Sequence, residues 1–189
     1  KNADIQHKHE FINTTCTNDK DLNFYHQYLE AKSLRINYDY EIKIEKHVSE
    51  QLPQILDLAD RHSKICITAE TGTGKTTAFL RDFKTCRPSK RCLFLVPLTV
   101  IANQSEREYE NLLCLTGKSS SVDHTKAKTN LFVMATYEQG AKHLQVGNNF
   151  HYIVVDEVHN LISANSYKRE VISNLTNAIE KSNSKIIGL

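Results

Sequence analysis

The sequence lacks long apolar runs: none of its 189 residues lies in a stretch near the roughly 20 apolar residues that a membrane-spanning helix needs. Its first ten residues, KNADIQHKHE, also lack the apolar core of a secretory signal. Hydrophobic residues make up 40% of the chain and charged residues 24%, as in ordinary globular proteins. These features argue against a membrane partner and against a chain without a core.

Paired cysteines are also missing. The five cysteines form no CxxC pair, and their odd number argues against a disulfide framework, so we expect a reducing, cytoplasmic (intracellular) setting. A strong charge of one sign is absent as well, because 24 Lys and Arg stand against 22 Asp and Glu, giving a net charge of +2. Such a balance does not by itself predict nucleic-acid binding, so the function has to be sought in local motifs.

From residue 64 onward, short apolar runs alternate with segments of helical periodicity. This alternation is typical of an α/β fold with a central, mostly parallel sheet. The apolar runs are continuous, which suits strands covered by helices on both faces. We expect strands at 64–69, 91–97, 112–116, 131–136, 151–157 and 185–189, and helices at 47–60, 75–84, 98–110, 137–145 and 166–181.

Two segments depart from this alternation. Residues 1–45 are polar, with one expected helix at 21–33, so we interpret them as an N-terminal extension or linker and place the domain at 46–189. Residues 116–130 are rich in Ser, Thr and Lys and have no apolar periodicity. They predict an exposed loop.

The segment AETGTGKTT, residues 69–77, follows an expected strand and precedes an expected helix, which is the context of a phosphate-binding loop (P-loop). Its glycines permit backbone conformations closed to other residues, so that successive N–H groups converge on phosphates. Lys75 would bring positive charge to the β and γ phosphates, and the Thr76 hydroxyl would bind Mg²⁺. The expected nucleotide-binding residues are Glu70, Thr71, Gly72, Thr73, Gly74, Lys75, Thr76 and Thr77.

The second motif is DEVH, residues 156–159, which ends the apolar run HYIVV. Because parallel strands share a carboxyl edge, we expect both carboxylates beside the P-loop. Asp156 would hold Mg²⁺, and Glu157 would orient and deprotonate the water that attacks the γ phosphate. An Asp-Glu pair alone is usually a solvated strand end, but beside a P-loop it predicts a triphosphatase site with Lys75, Asp156 and Glu157 as its catalytic residues.

AxxGxGKT, followed about 80 residues later by DExH, resembles the first RecA-like domain of superfamily 2 helicases and translocases. The resemblance covers about residues 46–189. It implies a RecA-like P-loop NTPase domain, ATP and Mg²⁺ at the site, and DNA or RNA as a partner. It also implies that His159 links the nucleotide site to the motif that follows.

The segment VPLTVIANQ, residues 96–104, resembles the PTRELAxQ segment of the same family. Pro97, Ala102 and Gln104 match it, whereas Leu98 and Thr99 stand where Thr and Arg are usual. The resemblance implies that Pro97, Thr99 and Gln104 lie at the nucleic acid. The missing Arg weakens the expected contact with the phosphate backbone, which the Thr99 hydroxyl would have to make instead.

Two further residues fit the family's nucleic-acid contacts. Gly117 stands where the family often has a glycine-bearing turn, and Thr136 of ATYEQG matches a Thr that touches a phosphate. Glycines and hydroxyls after strands are also routine in turns and helix caps. Both interpretations of Gly117 and Thr136 therefore stay open.

The final segment KIIGL resembles the strand that runs into a Ser-Ala-Thr motif in this family. The resemblance implies that a second RecA-like domain of the same polypeptide, carrying an arginine finger, is missing from this chain. Without that Arg we expect hydrolysis to be slower by about 10³- to 10⁵-fold.

Two other functions share parts of this pattern. A terminase-like packaging motor also has a P-loop and an acidic pair, and a nucleotide-binding regulatory module would bind without unwinding. The His of DEVH and segment 97–104 favour the helicase branch over the packaging motor. Lys75 and both carboxylates are intact, which favours an active enzyme over a regulatory module.

Overall fold

The computed structural model describes residues 36–44, 47–70, 72–110, 112–158, 161 and 165–189, the last without the side chains of 165–168. Residues 36–189 form one compact unit. The helix expected at 21–33 and the candidate residues Thr71 and His159 lie outside the described residues. None of the helices in the described ranges has the length and apolarity needed to cross a bilayer.

Seven strands and six helices of this unit have their bounds within the described residues. The strands are β1 (Tyr40–Ile44), β2 (Lys64–Ala69), β3 (Cys92–Val96), β4 (Leu113–Leu115), β5 (Phe132–Thr136), β6 (Tyr152–Val155) and β7 (Lys185–Gly188). The helices are α1 (Val48–Arg61), α2 (Lys75–Cys86), α3 (Thr99–Glu108), α4 (Ser121–Ala127), α5 (Tyr137–Gln145) and α6 (Asn165–Lys181). All six strands and all five helices expected from residue 47 onward are present, with bounds that differ by a few residues.

The strands form one sheet in the order β1-β2-β7-β6-β3-β5-β4, and every pair is parallel. The predicted α/β, RecA-like fold with a central, mostly parallel sheet is therefore confirmed in its architecture. Because all strands run the same way, the segments after β2, β6, β3, β5 and β4 leave from one carboxyl edge. Strand β7 lies between β2 and β6, so the two expected motifs leave from strands that are two positions apart.

Two apolar cores cover the two faces of the sheet. In β3, Phe94 belongs to the core that contains residues of α1 and α2, whereas Leu93 and Leu95 belong to the core that contains residues of α5 and α6. Successive strand residues point to opposite faces, which divides the side chains in this way. Burial on both faces explains why these strands are continuously apolar in the sequence.

The sheet begins earlier than expected, because β1 pairs with β2 from Tyr40 opposite Ile65 to Ile44 opposite Ala69. The expected boundary at residue 46 therefore falls after a strand of this sheet, and the start of the domain moves to before Tyr40. An edge strand needs fewer apolar side chains than a central one, and in β1 only Ile44 is fully buried. The sequence of β1, YEIKI, is therefore mostly polar and does not by itself predict a strand.

The loop expected at 116–130 is also corrected, because it contains helix α4. The Ser120 side chain accepts a hydrogen bond from the Asp123 N–H, and the Asp123 carboxylate accepts one from the Ser120 N–H over 2.8 Å. This capping box satisfies the free N–H groups of the first turn. Within the helix only Ala127 is buried, so the helix has a capping signal but no apolar periodicity.

Candidate active site at the carboxyl edge of the sheet

The predicted P-loop connects the end of β2 at Ala69 with the start of α2 at Lys75. Gly72 and Gly74 have φ angles of +85° and +73°, in the left-handed region that favours glycine. A methyl group built on either glycine would meet no atom within 4 Å. The backbone conformation, rather than crowding, therefore requires glycine at these positions, and the space beside the loop is open to a ligand.

Hydrogen bonds within the loop hold its shape. The Thr73 hydroxyl donates to the Glu70 carbonyl over 2.8 Å, and the Thr73 carbonyl accepts from the Val48 N–H at the start of α1 over 3.1 Å. The Lys75 ammonium donates to the Ala69 carbonyl over 2.8 Å and so lies across the loop. Thr76, the candidate Mg²⁺ ligand, is followed by Thr77, which is exposed.

Asp156 directly follows β6, and its carboxylate meets the start of α2. The Thr76 hydroxyl donates to Asp156 Oδ2 over 2.9 Å, while Asp156 Oδ1 is buried and has no hydrogen-bond partner among the described residues. Burial raises the pKa of Asp156 above its ordinary value, and the bond from Thr76 and the charge of Lys75 act in the opposite direction. A buried oxygen without a partner beside a hydroxyl is a fitting place for a divalent cation.

The turn formed by residues 156–158, here called the acidic loop, holds Glu157 in an uncommon conformation. Glu157 has a φ of +53°, in the left-handed region that residues with a Cβ seldom adopt. On either side the loop is tied to the sheet, because the Asp156 N–H donates to the Leu95 carbonyl and the Val158 N–H donates to the Leu189 carbonyl, each over 2.9 Å. The loop therefore has a defined path next to α2.

No three His, Cys, Asp or Glu side chains of the described ranges are grouped as a metal-binding cluster. Thr76 and Asp156 could together offer two oxygen ligands, a set that suits Mg²⁺ because this ion keeps several waters and is also bound by substrate phosphates. The residues therefore fit a metal that arrives with a nucleotide, rather than one held by the protein alone.

The chain matches a known family over most of its length. Residues 34–189 match the family "Type III restriction enzyme, res subunit". The chain belongs to this family. The match begins before β1, so the res-subunit family region includes all seven strands of the sheet. It confirms the predicted resemblance to the RecA-like domain of superfamily 2 helicases.

Two solved structures of helicases resemble this res-subunit family chain. The DUF1998 helicase MrfA has 18% identity and a TM-score of 0.48, over 74% of this chain and 26% of that chain. The Hef helicase domain of Pyrococcus furiosus has 19% identity and a TM-score of 0.44, over 90% and 34%. The chain thus spans well under half the length of either. A search of the curated proteins gave no match.

Four of the candidate nucleic-acid residues lie at the carboxyl ends of neighbouring strands. Pro97 and Thr99 follow β3, Thr136 ends β5 and Gly117 follows β4, and these three strands are adjacent in the order β3-β5-β4. We call the carboxyl ends of these strands the β3–β5–β4 edge. Thr99 and Gly117 are exposed. Strand β6, which leads into the acidic loop, pairs with β3, so the acidic loop lies next to the β3 end of this edge.

Thr136 is mostly buried and caps helix α5. Its side chain accepts a hydrogen bond from the Gln139 N–H over 3.5 Å, and only 8% of the residue is exposed. The helix-cap interpretation of Thr136 therefore applies in this structure. A contact with a phosphate stays a prediction, and it would require the hydroxyl to serve both partners.

Gln104 lies apart from the other four candidates. Its amide donates to Glu108 Oε1 over 2.7 Å, and it lines a cavity of about 210 Å³ together with Thr76 and Thr77. The structure thus brings Gln104 next to the P-loop helix rather than to the β3–β5–β4 edge. Its expected role at the nucleic acid stays a prediction.

A larger depression, of about 400 Å³, lies at the amino edge of the sheet, on the side opposite both motifs. Lys90, His151 and Lys185 line it, and each precedes or begins a strand. None of the site residues expected from the sequence lines this depression. The predicted catalytic residues lie instead at the carboxyl edge of the sheet.

One residue of the site was missed in the sequence. Tyr137, the first residue of α5, donates a hydrogen bond from its hydroxyl to the Asp156 carbonyl over 2.6 Å. Burial and the charges of Asp156 and Glu157 raise the pKa of Tyr137, so the hydroxyl keeps its proton. The residue lies within the ATYEQG segment, but no local pattern indicates a partner 19 positions away.

Proposed function

We propose that this chain is the ATP-binding and ATP-hydrolysing half of a helicase or translocase, which couples hydrolysis to movement along, or unwinding of, DNA or RNA. The observation that carries this proposal is the bond from the Thr76 hydroxyl to Asp156 Oδ2, over 2.9 Å. It joins the residue after the P-loop lysine to the first carboxylate of DEVH. The two motifs therefore form one site.

The roles of the residues follow from their positions. The N–H groups of Gly72 to Gly74 and the start of α2 bind the triphosphate, and the Lys75 ammonium exchanges the Ala69 carbonyl for the β and γ phosphates. Thr76 and Asp156 hold Mg²⁺, which when bound neutralises charge that develops on the phosphate oxygens. Glu157 orients the attacking water and accepts its proton.

Nucleic acid binds, in this proposal, along the β3–β5–β4 edge. Support comes from the strand order: Thr99, Thr136 and Gly117 follow or end β3, β5 and β4 at the same carboxyl edge, and β3 pairs with β6, which leads into the acidic loop. A strand on this edge would lie next to the water-orienting carboxylate, so that its binding could change the rate of hydrolysis. Strands β7 and β6 separate this edge from β2, the strand that leads into the P-loop.

A second RecA-like domain of the same polypeptide completes the enzyme in this proposal. It supplies an arginine finger to the transition state and the other half of the nucleic-acid surface. His159, outside the described residues, would pass the state of the nucleotide to that domain. Membership of the res-subunit family, over residues 34–189, supports this arrangement over a packaging motor or a regulatory module.

The test is the rate of ATP hydrolysis by the complete polypeptide with no nucleic acid, with single-stranded and duplex DNA, and with RNA. We expect at least one nucleic acid to raise the rate. The Glu157→Gln variant should bind ATP normally but hydrolyse it about 10²- to 10⁴-fold more slowly, because the water loses its base. Glu138→Gln, an exposed carboxylate paired with Lys142, is the matched control. A rate indifferent to every DNA and RNA offered would remove the helicase function.

A further inference from the structure

Tyr137 lies where the β3–β5–β4 edge meets the acidic loop. It directly follows Thr136, and its ring is buried, with only 6% of the residue exposed. Its hydroxyl donates to the Asp156 carbonyl over 2.6 Å and lies 3.3 Å from the Glu157 carbonyl. Carbonyl oxygens can only accept, so the tyrosine shares its single hydroxyl proton between the two, with the shorter bond to the Asp156 carbonyl.

These two carbonyls belong to the peptide units on either side of the Glu157 Cα. A donor that contacts both of them restricts the two backbone dihedrals of Glu157 at once. This restriction matters because the φ of +53° costs energy for a residue with a Cβ and persists only where the surroundings hold it. The bonds to Leu95 and Leu189 anchor the neighbouring residues 156 and 158, and Tyr137 acts between them.

The connection continues toward the nucleic-acid side. Thr136 is the N-cap of α5 and Tyr137 is its first residue, so a shift of the first turn of α5 moves both together. Such a shift would reach, through the Tyr137 hydroxyl, the two peptide units on either side of the Glu157 Cα. The path from strand end to carboxylate consists of one covalent step and one hydrogen bond.

We infer that Tyr137 is a positioning residue that holds Glu157 in its left-handed conformation and links binding at the β3–β5–β4 edge to the water-orienting carboxylate. The inference rests on the proposed function. It adds a residue that acts on hydrolysis and on its stimulation without touching ATP.

The experiment uses Tyr137→Phe, which keeps the buried ring and removes only the hydroxyl. Tyr152→Phe is the matched control, because Tyr152 is also buried and its hydroxyl donates to Asp60 over 2.6 Å, at the amino edge. The kcat and KM for ATP are measured in the complete polypeptide, with and without the nucleic acid that stimulates the wild type. Calorimetric ATP affinity serves as the check on folding.

We expect Tyr137→Phe to lower kcat about tenfold and to reduce the stimulation by nucleic acid, with little change in KM or ATP affinity, because misplacing a catalytic group by a fraction of an ångström is enough. Tyr152→Phe should change none of these quantities. In a Glu157→Gln background, Tyr137→Phe should have no further effect on kcat, because the group that it positions is already gone.

A wild-type kcat in Tyr137→Phe, or equal losses in Tyr137→Phe and Tyr152→Phe, would overturn the inference and leave the proposed function standing. A further loss in the Glu157→Gln background would also overturn it, since it would indicate a general structural effect. A wild type without ATPase activity would overturn the proposed function, and the inference with it.

Discussion

Thr76 and Asp156 are 80 positions apart in the sequence and joined by one hydrogen bond, from the threonine hydroxyl to Asp156 Oδ2 over 2.9 Å. The other oxygen of this buried carboxylate has no partner among the described residues. A cation bound there would coordinate the free oxygen of Asp156. Thr76 and Asp156 would then both bind the cation instead of being hydrogen-bonded to each other.

Removing the ammonium of Lys75 should weaken ATP binding strongly. Lys75→Ala is expected to weaken ATP affinity about 10- to 100-fold or more, because charge-assisted hydrogen bonds to the phosphates are lost. Isothermal calorimetry with ATP and Mg²⁺ measures this change. Lys84→Ala, an exposed lysine in the last turn of the same helix, should bind like the wild type. Unchanged affinity in Lys75→Ala would remove this residue from the site.

An added methyl group should lower the free energy of unfolding more at Gly74, in the P-loop, than at Gly117, which follows β4. Both positions are open, with no atom within 4 Å of an added Cβ, but only Gly74 has a positive φ, of +73°. Gly74→Ala should lower the free energy of unfolding by about 1–2 kcal/mol, and Gly117→Ala by less than about 0.5 kcal/mol. Urea denaturation distinguishes the two. Equal effects would show that the backbone conformation does not require glycine.

Restoring the arginine that the chain lacks at position 99 should strengthen nucleic-acid binding. Thr99 is exposed at the start of α3, on the β3–β5–β4 edge. Thr99→Arg should raise affinity for single-stranded DNA or RNA and steepen its salt dependence by about one counterion. Fluorescence anisotropy at several salt concentrations measures both quantities.

The matched control adds the same charge at the opposite edge of the sheet. Val146 is 73% exposed and follows α5, which runs from the carboxyl edge back toward the amino edge. Val146→Arg should change affinity and salt dependence less than Thr99→Arg does. If the two variants bind equally well, net charge rather than the β3–β5–β4 edge governs binding.

Acidification should destabilise the contact between α4 and α5. His143 is buried, and its ring nitrogens lie 2.9 Å from His124 Nδ1 and 2.9 Å from the Asn148 amide. Burial, and then the charges of His124, Lys128 and Arg91, lower the pKa of His143 from its ordinary value of 6.5. The unfolded chain therefore takes up this proton more readily, and the free energy of unfolding should fall as the pH drops below about 6.5.

His143→Gln tests this titration. The variant should lose less stability than the wild type between about pH 7.5 and about pH 5.5, as measured by urea denaturation. The pKa of His151 is also lowered, through burial and the charges of Lys90 and Arg91, but it is unchanged by the substitution and cancels in the comparison. The same pH dependence in both proteins would exclude His143 as the titrating group.

Most of the fold follows from local patterns. Runs such as CLFLV in β3 are buried on both faces, and the helices between the strands have one apolar side. These elements can therefore be predicted from the sequence. The exceptions have physical causes. Strand β1 lies at the edge and is mostly polar, and α4 depends on the capping box between Ser120 and Asp123 rather than on apolar spacing.

The sequence by itself determined the two motifs, their places after strands, and the α/β class of the fold, because the motif residues stand in short segments and the strands are continuously apolar. Only the tertiary structure decided that Tyr137 holds the acidic loop and that Gln104 lies beside Thr76 and Thr77. Those contacts depend on the order β6-β3-β5 and on the packing of α2 against its neighbours. Strand order is set by the burial of the whole sheet, and no local pattern encodes it.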